Sequence, residues 1–251
     1  MIKTVQSNLN NVGKNGGTLM TNFTFFINGD SEQKLEFMAE RILNGGFIGR
    51  NQEQVKKHIK ELAELGVPAP KETPVFYPLL PNNLTTNQEL EVVGTGNSGE
   101  VEFVLLYAAG GLFVGVGSDH TDRDLEKLSI LKSKQVYPNI MCPDVWSYDD
   151  VIDHWDELEM RSWLGSTKEI LYQEGTLGQL MRPEDLRERA ESLITGDIQG
   201  TVLFSGTLAT LEELKFNEYF HIELLDRKRN KKLTYSYKIQ PLKWFKGELE
   251  G

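Results

Sequence analysis

The stretch at 117–126, GSDHTDRDLE, brings five charged side chains together at the end of an apolar run. Upstream, Glu100 and Glu102 are separated by one residue, so on a strand they share a face. Gly110-Gly111 predicts the two-residue turn of a β-hairpin between these segments. That turn would place Asp119 directly opposite Glu102, with Cβ atoms about 5 Å apart. Three carboxylates are therefore predicted to converge.

Converging carboxylates disfavour one another's ionisation, and a bound divalent cation reverses that penalty. Oxygen ligands suit Mg²⁺, Mn²⁺ or Ca²⁺, of which Mg²⁺ is the expected ion, and three carboxylates leave about half of an octahedral shell open. The other interpretation is a set of solvated acids at a hairpin end. A three-residue loop would also turn Asp119 to the opposite face.

His58 and Glu61 lie three residues apart in a segment with helical spacing, so they share one helical face. A carboxylate so placed orients an imidazole, and the pair could act as a general base on water. The alternative is a solvated helix face, because lysines and a further glutamate surround the pair.

Lys132 and Lys134 follow the charged stretch closely. A lysine beside a metal site could hold a substrate carboxylate or counter developing negative charge. Either residue could instead be an ordinary surface lysine.

The elements that must position these side chains are mostly short strands. Hydrophobic spacing predicts strands at 23–27, 74–77, 89–93, 169–172, 200–207, 219–225 and 233–239, and helices at 33–43, 52–65, 122–131 and 183–191. The acidic segment 145–164 is expected to be helical or mixed, with His154 partly exposed. Many strands with few helices favour a β-rich α+β fold.

Composition and charge argue against some classes of binding partner. A net charge of -10 argues against nucleic acid or an anionic membrane as partner. No apolar stretch approaches the length of a membrane span, and no secretory signal is evident at the start. Cys142 is the single cysteine and is expected to be a buried thiol, which fits the reducing cytoplasm.

Taken in order, several segments resemble the fumarylacetoacetate hydrolase superfamily, including its acylpyruvate hydrolase and oxaloacetate decarboxylase members, and the sequence is closest to a bacterial branch of it. The nine residues from Ser118 resemble the signature N-D-x-[ST]-A-R-D-[ILV]-Q, with Glu126 replacing its glutamine. The other matching pieces are Gly49-Arg50-Asn51, His58 with Glu61, Pro74-Val75-Phe76, Glu100-Val101-Glu102, Tyr172-Gln173-Glu174-Gly175 and 200–207.

The resemblance implies a fold of mixed, rolled β-sheets. The Asn- and Gly-rich, weakly patterned leader at 1–22 is expected to be mobile. It would be followed by an N-terminal α/β cap with a lid helix at 23–72 and a β-rich catalytic domain at 73–251. A homodimer is expected.

The resemblance further implies the roles of the site residues. Metal ligands would be Glu100, Glu102 and Asp119, and Lys134, or less favourably Lys132, would face the substrate. Thr207 would line the pocket, with Arg123 and Glu126 as further pocket or structural residues. His58 and Glu61 would form the water-activating dyad of the lid.

The leading hypothesis is a metal-dependent hydrolase that cleaves a carbon-carbon bond in a 2-oxo or β-dicarbonyl carboxylic acid. Decarboxylation or tautomerisation of an oxaloacetate-like acid is the alternative chemistry, because it needs the metal without an attacking water. A non-catalytic protein that binds a small carboxylate is the alternative from another class.

Overall fold

The computed structural model describes residues 20–64, 69–213 and 215–246, without the side chains of His58 and Leu62. Most of the predicted leader lies outside these residues, and the first strand already begins at Thr21.

Fifteen strands and four α-helices are present in the described residues. The strands are β1 Thr21–Ile27, β2 Lys34–Ala39, β3 Arg41–Gly46, β4 Val75–Leu79, β5 Leu84–Thr85, β6 Glu89–Val92, β7 Asn97–Ala108, β8 Gly111–Asp122, β9 Asn139–Met141, β10 Asp144–Ser147, β11 Glu159–Leu164, β12 Ile170–Thr176, β13 Thr201–Phe204, β14 Tyr219–Asp226 and β15 Lys231–Pro241. The helices are α1 Gln52–Glu64, α2 Arg123–Glu126, α3 Ile130–Val136 and α4 Pro183–Glu191. The β-rich α+β prediction is confirmed.

Two mixed sheets contain these strands. The larger has ten strands in the order β2-β1-β10-β8-β7-β13-β3-β4, with β9 and β5 joined through β8. The smaller has the order β12-β11-β14-β15-β6. Strand β3, from the predicted N-terminal cap, is hydrogen-bonded to both β13 and β4, so backbone ladders cross the predicted boundary at 72/73.

The long strand β7 lies between two hydrophobic clusters, and its successive side chains point alternately into one and the other. Phe103 and Leu105 face the cluster shared with the five-stranded sheet, where the Phe103 ring meets Trp155 edge-on. Val104 and Leu106 face the other cluster, which β1, β2, β3, β8 and β13 also line. The side chain of Glu102 therefore belongs to the face of this second cluster.

The helix predicted at 33–43 is wrong. Strands β2 and β3 occupy this segment, and β2 pairs antiparallel with β1 so that Phe37 lies opposite Phe23. Leu35, Met38 and Ala39 have helical spacing, whereas Leu35, Phe37 and Ala39 recur every second residue as in a strand, and cross-strand pairing decides between the two patterns.

His154 is not partly exposed as expected. It is 6% exposed, and its Nε2 lies 2.9 Å from Oδ2 of Asp226, a fully buried carboxylate at the end of β14. The segment around it consists of short 3-10 turns between β10 and β11, so the partner comes from a strand distant in sequence.

No helix in the described part of the chain is long and apolar enough to cross a membrane.

Cys142 is buried and free, as predicted. Burial raises the pKa of its thiol to about 12, so the reactive thiolate is scarce at neutral pH. We expect a chromogenic disulfide reagent to leave the native protein unmodified at pH 8 and to titrate one thiol after unfolding in urea. Cys142→Ser is the blank, and rapid labelling of the folded protein would contradict the burial.

Candidate metal centre

Two long antiparallel strands carry three carboxylates to one place. Glu100 and Glu102 lie on β7 and Asp119 lies on β8, and one oxygen atom of each carboxylate lies within 4.8 Å of the other two. Asp119 is fully buried and Glu102 is 1% exposed, whereas the Glu100 side chain is 17% exposed. The predicted convergence is confirmed, and the assignment of these residues as metal ligands stays a prediction.

The predicted pairing within the hairpin is wrong in one respect. Asp119 lies opposite Glu100, and Glu102 lies opposite Gly117. The shift moves the partner by two residues, so Asp119 keeps the predicted face because side chains alternate with a period of two.

The cause of the shift is the position of the turn. The chain reverses through Ala109 and Gly110, and Ala108 pairs with Gly111. Gly111 is already the first residue of β8 and adopts a φ of 128°, which favours glycine. The Gly-Gly pair therefore does not form the loop itself.

Gly117 gives the site its shape beside Glu102. A β-carbon at Gly117 would lie 2.6 Å from Cε1 of Phe204 and 2.8 Å from the carbonyl oxygen of Ile140. Any larger residue would displace these neighbours, so the position opposite Glu102 must lack a side chain.

Lys134 covers the carboxylates from helix α3. Its side chain is 7% exposed, and its Nζ forms an ion pair with Oδ2 of the buried Asp119. Lys132, two residues earlier, is exposed. Residues two apart on a helix point in different directions, so only one of the two lysines can face the site.

A single helix over 122–131 does not form. Asp122 caps the short helix α2, where its side chain accepts from the backbone N–H groups of Asp124 and Leu125. Ser129 starts a separate helix, α3, by accepting from the backbone N–H of Lys132. The break turns α3 so that Lys134 reaches β8.

The charged groups of the cluster shift one another's pKa values. Burial and the neighbouring Asp119 carboxylate raise the pKa of Glu102 well above its ordinary value. Burial lowers the pKa of Lys134, but the carboxylates of Asp119, Glu100 and Glu102 outweigh that effect and raise it. Lys134 is therefore a cation at neutral pH.

The structure predicts unequal roles for the two lysines in stability. Lys134→Met leaves Asp119 buried without its cation, and we expect the metal-free protein to lose about 3–5 kcal/mol of unfolding free energy. Lys132→Met is the matched control, because an exposed substitution of the same kind changes stability by about 0.5 kcal/mol or less. Urea unfolding in the presence of a chelator measures both. Equal small losses would show that Lys134 does not neutralise a buried carboxylate.

Arg123, the first residue of α2, links Glu100 on β7 to Glu126 at the end of the same helix. Its Nη2 lies 3.1 Å from Oε1 of Glu100, its Nη1 donates to Oε2 of Glu126 at 3.0 Å, and its Nε donates to Oγ of Ser98 at 2.7 Å. Nε and Nη1 thus form hydrogen bonds within the protein, whereas the contact of Nη2 with Glu100 is an ion pair without hydrogen-bond geometry. This geometry orients Glu100, and a direct contact of Arg123 or Glu126 with substrate stays a prediction.

The chain turns sharply after β13, and this corner at 205–207 packs against β7 beside the carboxylates. Gly206, with a φ of 96°, donates its backbone N–H to Oε2 of Glu102 at 2.9 Å. Thr207 donates its hydroxyl proton to the carbonyl oxygen of Val101 at 2.7 Å. The predicted pocket residue Thr207 therefore lies next to β7, between the positions of the two glutamates.

The predicted dyad lies on α1, which the structure confirms as a helix from Gln52 to Glu64. Glu61 is exposed, and its carboxylate lies 3.6 Å from Nζ of Lys57. The side chain of His58 is outside the described part of the chain, so the dyad stays a prediction.

Sequence reasoning missed a buried polar network on the other face of the hairpin. The Tyr237 hydroxyl lies 2.9 Å from Oγ of Ser118 and 3.0 Å from Nδ1 of His120, whose Nε2 lies 2.9 Å from Oδ1 of Asn97. The alternation of Ser118 and His120 with Asp119 pointed to that face, but the partner on β15 is distant in sequence.

Tyr77 is a second residue that the sequence did not single out. Burial raises the pKa of its hydroxyl, while the charge of Lys134 opposes that rise and Glu126 adds to it. This coupling brings β4 into the surroundings of the site. The adjacent Pro74-Val75-Phe76 motif was the available signal.

The residues of the cluster fit a hard divalent cation. The three converging groups offer only carboxylate oxygen atoms, which Mg²⁺, Mn²⁺ and Ca²⁺ prefer. With Glu126, four carboxylates face two cations, Lys134 and Arg123, so full ionisation of the carboxylates leaves an excess of two negative charges. A divalent cation would balance that excess.

Residues 45–237 match the family described as Protein of unknown function (DUF2848). The chain belongs to this family. The DUF2848 match runs from the last two residues of β3 into β15 and so includes the whole carboxylate cluster. No curated protein matches the sequence.

Solved structures confirm the predicted superfamily resemblance at the level of the fold. A protein assigned as a fumarylpyruvate hydrolase from Burkholderia cenocepacia is 14% identical, with a TM-score of 0.59 over 88% of this chain and 95% of that one. 2-Keto-3-deoxy-D-arabinonate dehydratase is 14% identical, with a TM-score of 0.59 over 82% of this chain and 74% of that one. 5-Carboxymethyl-2-hydroxymuconate delta-isomerase from Mycobacterium smegmatis is 16% identical, with a TM-score of 0.57 over 87% of this chain and 85% of that one.

Proposed function

We propose that this DUF2848 protein is a divalent-metal-dependent enzyme that hydrolyses a carbon-carbon bond in a 2-oxo or β-dicarbonyl carboxylic acid. The observation that carries the proposal is the buried cluster of Glu100, Glu102 and Asp119, whose carboxylate oxygens lie within 4.8 Å of one another. Carboxylates this close together are unfavourable unless cations compensate them, and Lys134 and Arg123 supply only two positive charges, so the arrangement supports a metal role.

A bound divalent cation would supply Lewis acidity, polarising the carbonyl of a 2-oxo acid. The protein's own residues do the rest. Lys134 places a permanent positive charge beside Asp119, where it can stabilise negative charge that develops on the substrate. Arg123 holds Glu100, and the Gly206 N–H holds Glu102.

His58, oriented by Glu61, takes a proton from the attacking water in this proposal. The supporting feature is the helix itself, because residues three apart lie on one face of α1. Docking of α1 over the carboxylates would exclude bulk solvent from the reaction. A homodimer and Mg²⁺ as the resident metal complete the proposal.

Two other functions use the same cluster. The structural neighbours named above include a dehydratase and an isomerase, which favours testing decarboxylation or tautomerisation of an oxaloacetate-like acid as the second chemistry. A binding protein would use the carboxylates and the metal to hold a small acid without turnover.

One experiment separates these functions. The protein is loaded with Mg²⁺ or Mn²⁺ and incubated with acylpyruvates, oxaloacetate and hydroxy-dienoates, while chelator-treated protein serves as the control. Metal-dependent cleavage of acylpyruvates supports the proposal, whereas metal-dependent loss of CO₂ or tautomerisation alone supports the second chemistry. Binding without turnover supports the third function, and turnover that survives complete metal removal contradicts the proposal.

A further inference from the structure

Strand β7 runs past the end of its neighbour β13. The last paired residue of β13 is Phe204, which lies opposite Val104, and the N–H of Ser205 then donates to the carbonyl of Phe103 at 3.1 Å. In the described residues no strand continues this ladder to Val101, which is fully buried. Its backbone donor and acceptor on that edge therefore need other partners.

The side-chain amide of Gln173 takes the place of the missing strand. Gln173 lies on β12 of the other sheet and is fully buried. Its Oε1 accepts from the N–H of Val101 at 3.0 Å and from Oγ of Ser162 at 2.9 Å. Its Nε2 donates to Oγ1 of Thr207 at 2.7 Å and to the carbonyl of Leu208 at 2.8 Å. All the main hydrogen-bonding capacity of the amide is used.

The direction of the Thr207 hydroxyl follows from this arrangement. An amide nitrogen only donates, so the hydroxyl oxygen accepts from Gln173 and its single proton goes to the carbonyl of Val101. Gln173 therefore satisfies the backbone N–H of Val101, and Thr207 satisfies its carbonyl oxygen.

Both ends of this arrangement reach the candidate metal centre. Val101 separates Glu100 from Glu102 on β7, and Thr207 follows Gly206, whose N–H donates to Glu102 at 2.9 Å. We propose that Gln173 is a positioning residue that fixes the two glutamates for metal binding by tying β7 to the corner at 205–207. This inference rests on the proposed function, since it assumes that the glutamates hold a metal.

The test measures Mn²⁺ affinity by calorimetry and the electron paramagnetic resonance spectrum of bound Mn²⁺ in the full chain. Gln173→Met keeps the length of the side chain and removes all four hydrogen bonds. Thr207→Val removes the hydroxyl, Thr207→Ser restores it, and the double variant Gln173→Met/Thr207→Val tests coupling. Ser162→Ala is the matched control, because it removes one buried hydrogen bond from the same amide and leaves those to β7 and the corner.

We expect Gln173→Met to weaken Mn²⁺ binding by about 10-fold to 100-fold and to change the spectrum, the range typical of residues that orient metal ligands. Thr207→Val should behave similarly, and the double variant should lose little more than either single variant because the two residues act as one unit. Thr207→Ser and Ser162→Ala should stay within about twofold of wild type, well below the loss expected of an orienting residue.

A Gln173→Met protein that melts at a lower temperature but binds Mn²⁺ as wild type does would overturn the inference, leaving a purely structural role. Additive losses in the double variant would also overturn it. Wild-type protein that binds no Mn²⁺ would instead overturn the proposed function, and the inference with it.

Discussion

Glu102→Gln should lower Mn²⁺ affinity by more than about 100-fold, because a direct ligand contributes more than the residues that only orient ligands. The glutamine oxygen can still accept from the Gly206 N–H, so the variant removes the charge while keeping the shape. Metal-dependent turnover of any substrate should fall in proportion to the fraction of protein that holds the metal. Calorimetry of metal binding and an assay at saturating metal measure the two effects separately.

The same variant should stabilise the metal-free protein. Burial and the charge of Asp119 both oppose ionisation of Glu102, so the neutral amide relieves a cost that the metal-free fold carries. A relief of about 1 kcal/mol raises the melting temperature by about 2–4 °C in a chain of this size. Glu91→Gln, the same substitution at an exposed position of β6, is the control for charge removal. Unchanged Mn²⁺ affinity in Glu102→Gln would exclude this residue as a ligand.

His58→Ala should reduce hydrolysis by about 10²–10⁴-fold, the usual contribution of a general base. It should leave Mn²⁺ affinity unchanged, because the carboxylates lie on β7 and β8 and His58 lies on α1. Initial rates of carbon-carbon cleavage and of decarboxylation are measured on the same preparation. Decarboxylation needs no attacking water, so its rate should persist in the variant.

The control for this variant is Lys60→Ala, an exposed residue of the same helix. It tests whether any change on α1 alters the rate. Hydrolysis at the wild-type rate in His58→Ala would exclude the dyad and would favour a different source of the nucleophile.

Much of the fold followed from local pattern. The helix at 183–191 has the predicted bounds, and the paired strands near the C-terminus lie where alternation placed them. The segment 33–43 did not follow, because its apolar residues fit both periods and only pairing with β1 selects the strand. His154 was misjudged for a similar reason, since its partner Asp226 is 72 residues away in the sequence.

For the site, the sequence alone determined which residues share a face. Alternation along β7 places Glu100 and Glu102 on one side, and Asp119 on β8 joins them because the turn changed the predicted register by an even number of residues. The same rule turns Ser118 and His120 to the other side. These are short-range consequences of backbone geometry.

Only the tertiary structure decided the partners of those residues. It selected Lys134 over Lys132 through the orientation of α3, and it brought Gly206 to Glu102 across 104 residues and Gln173 to Val101 across 72. Periodicity fixes the direction of a side chain relative to its own strand or helix, whereas contacts between distant segments depend on how whole sheets and helices pack. The carboxylate cluster could therefore be read from the sequence, but the residues that neutralise it and hold it in place could not.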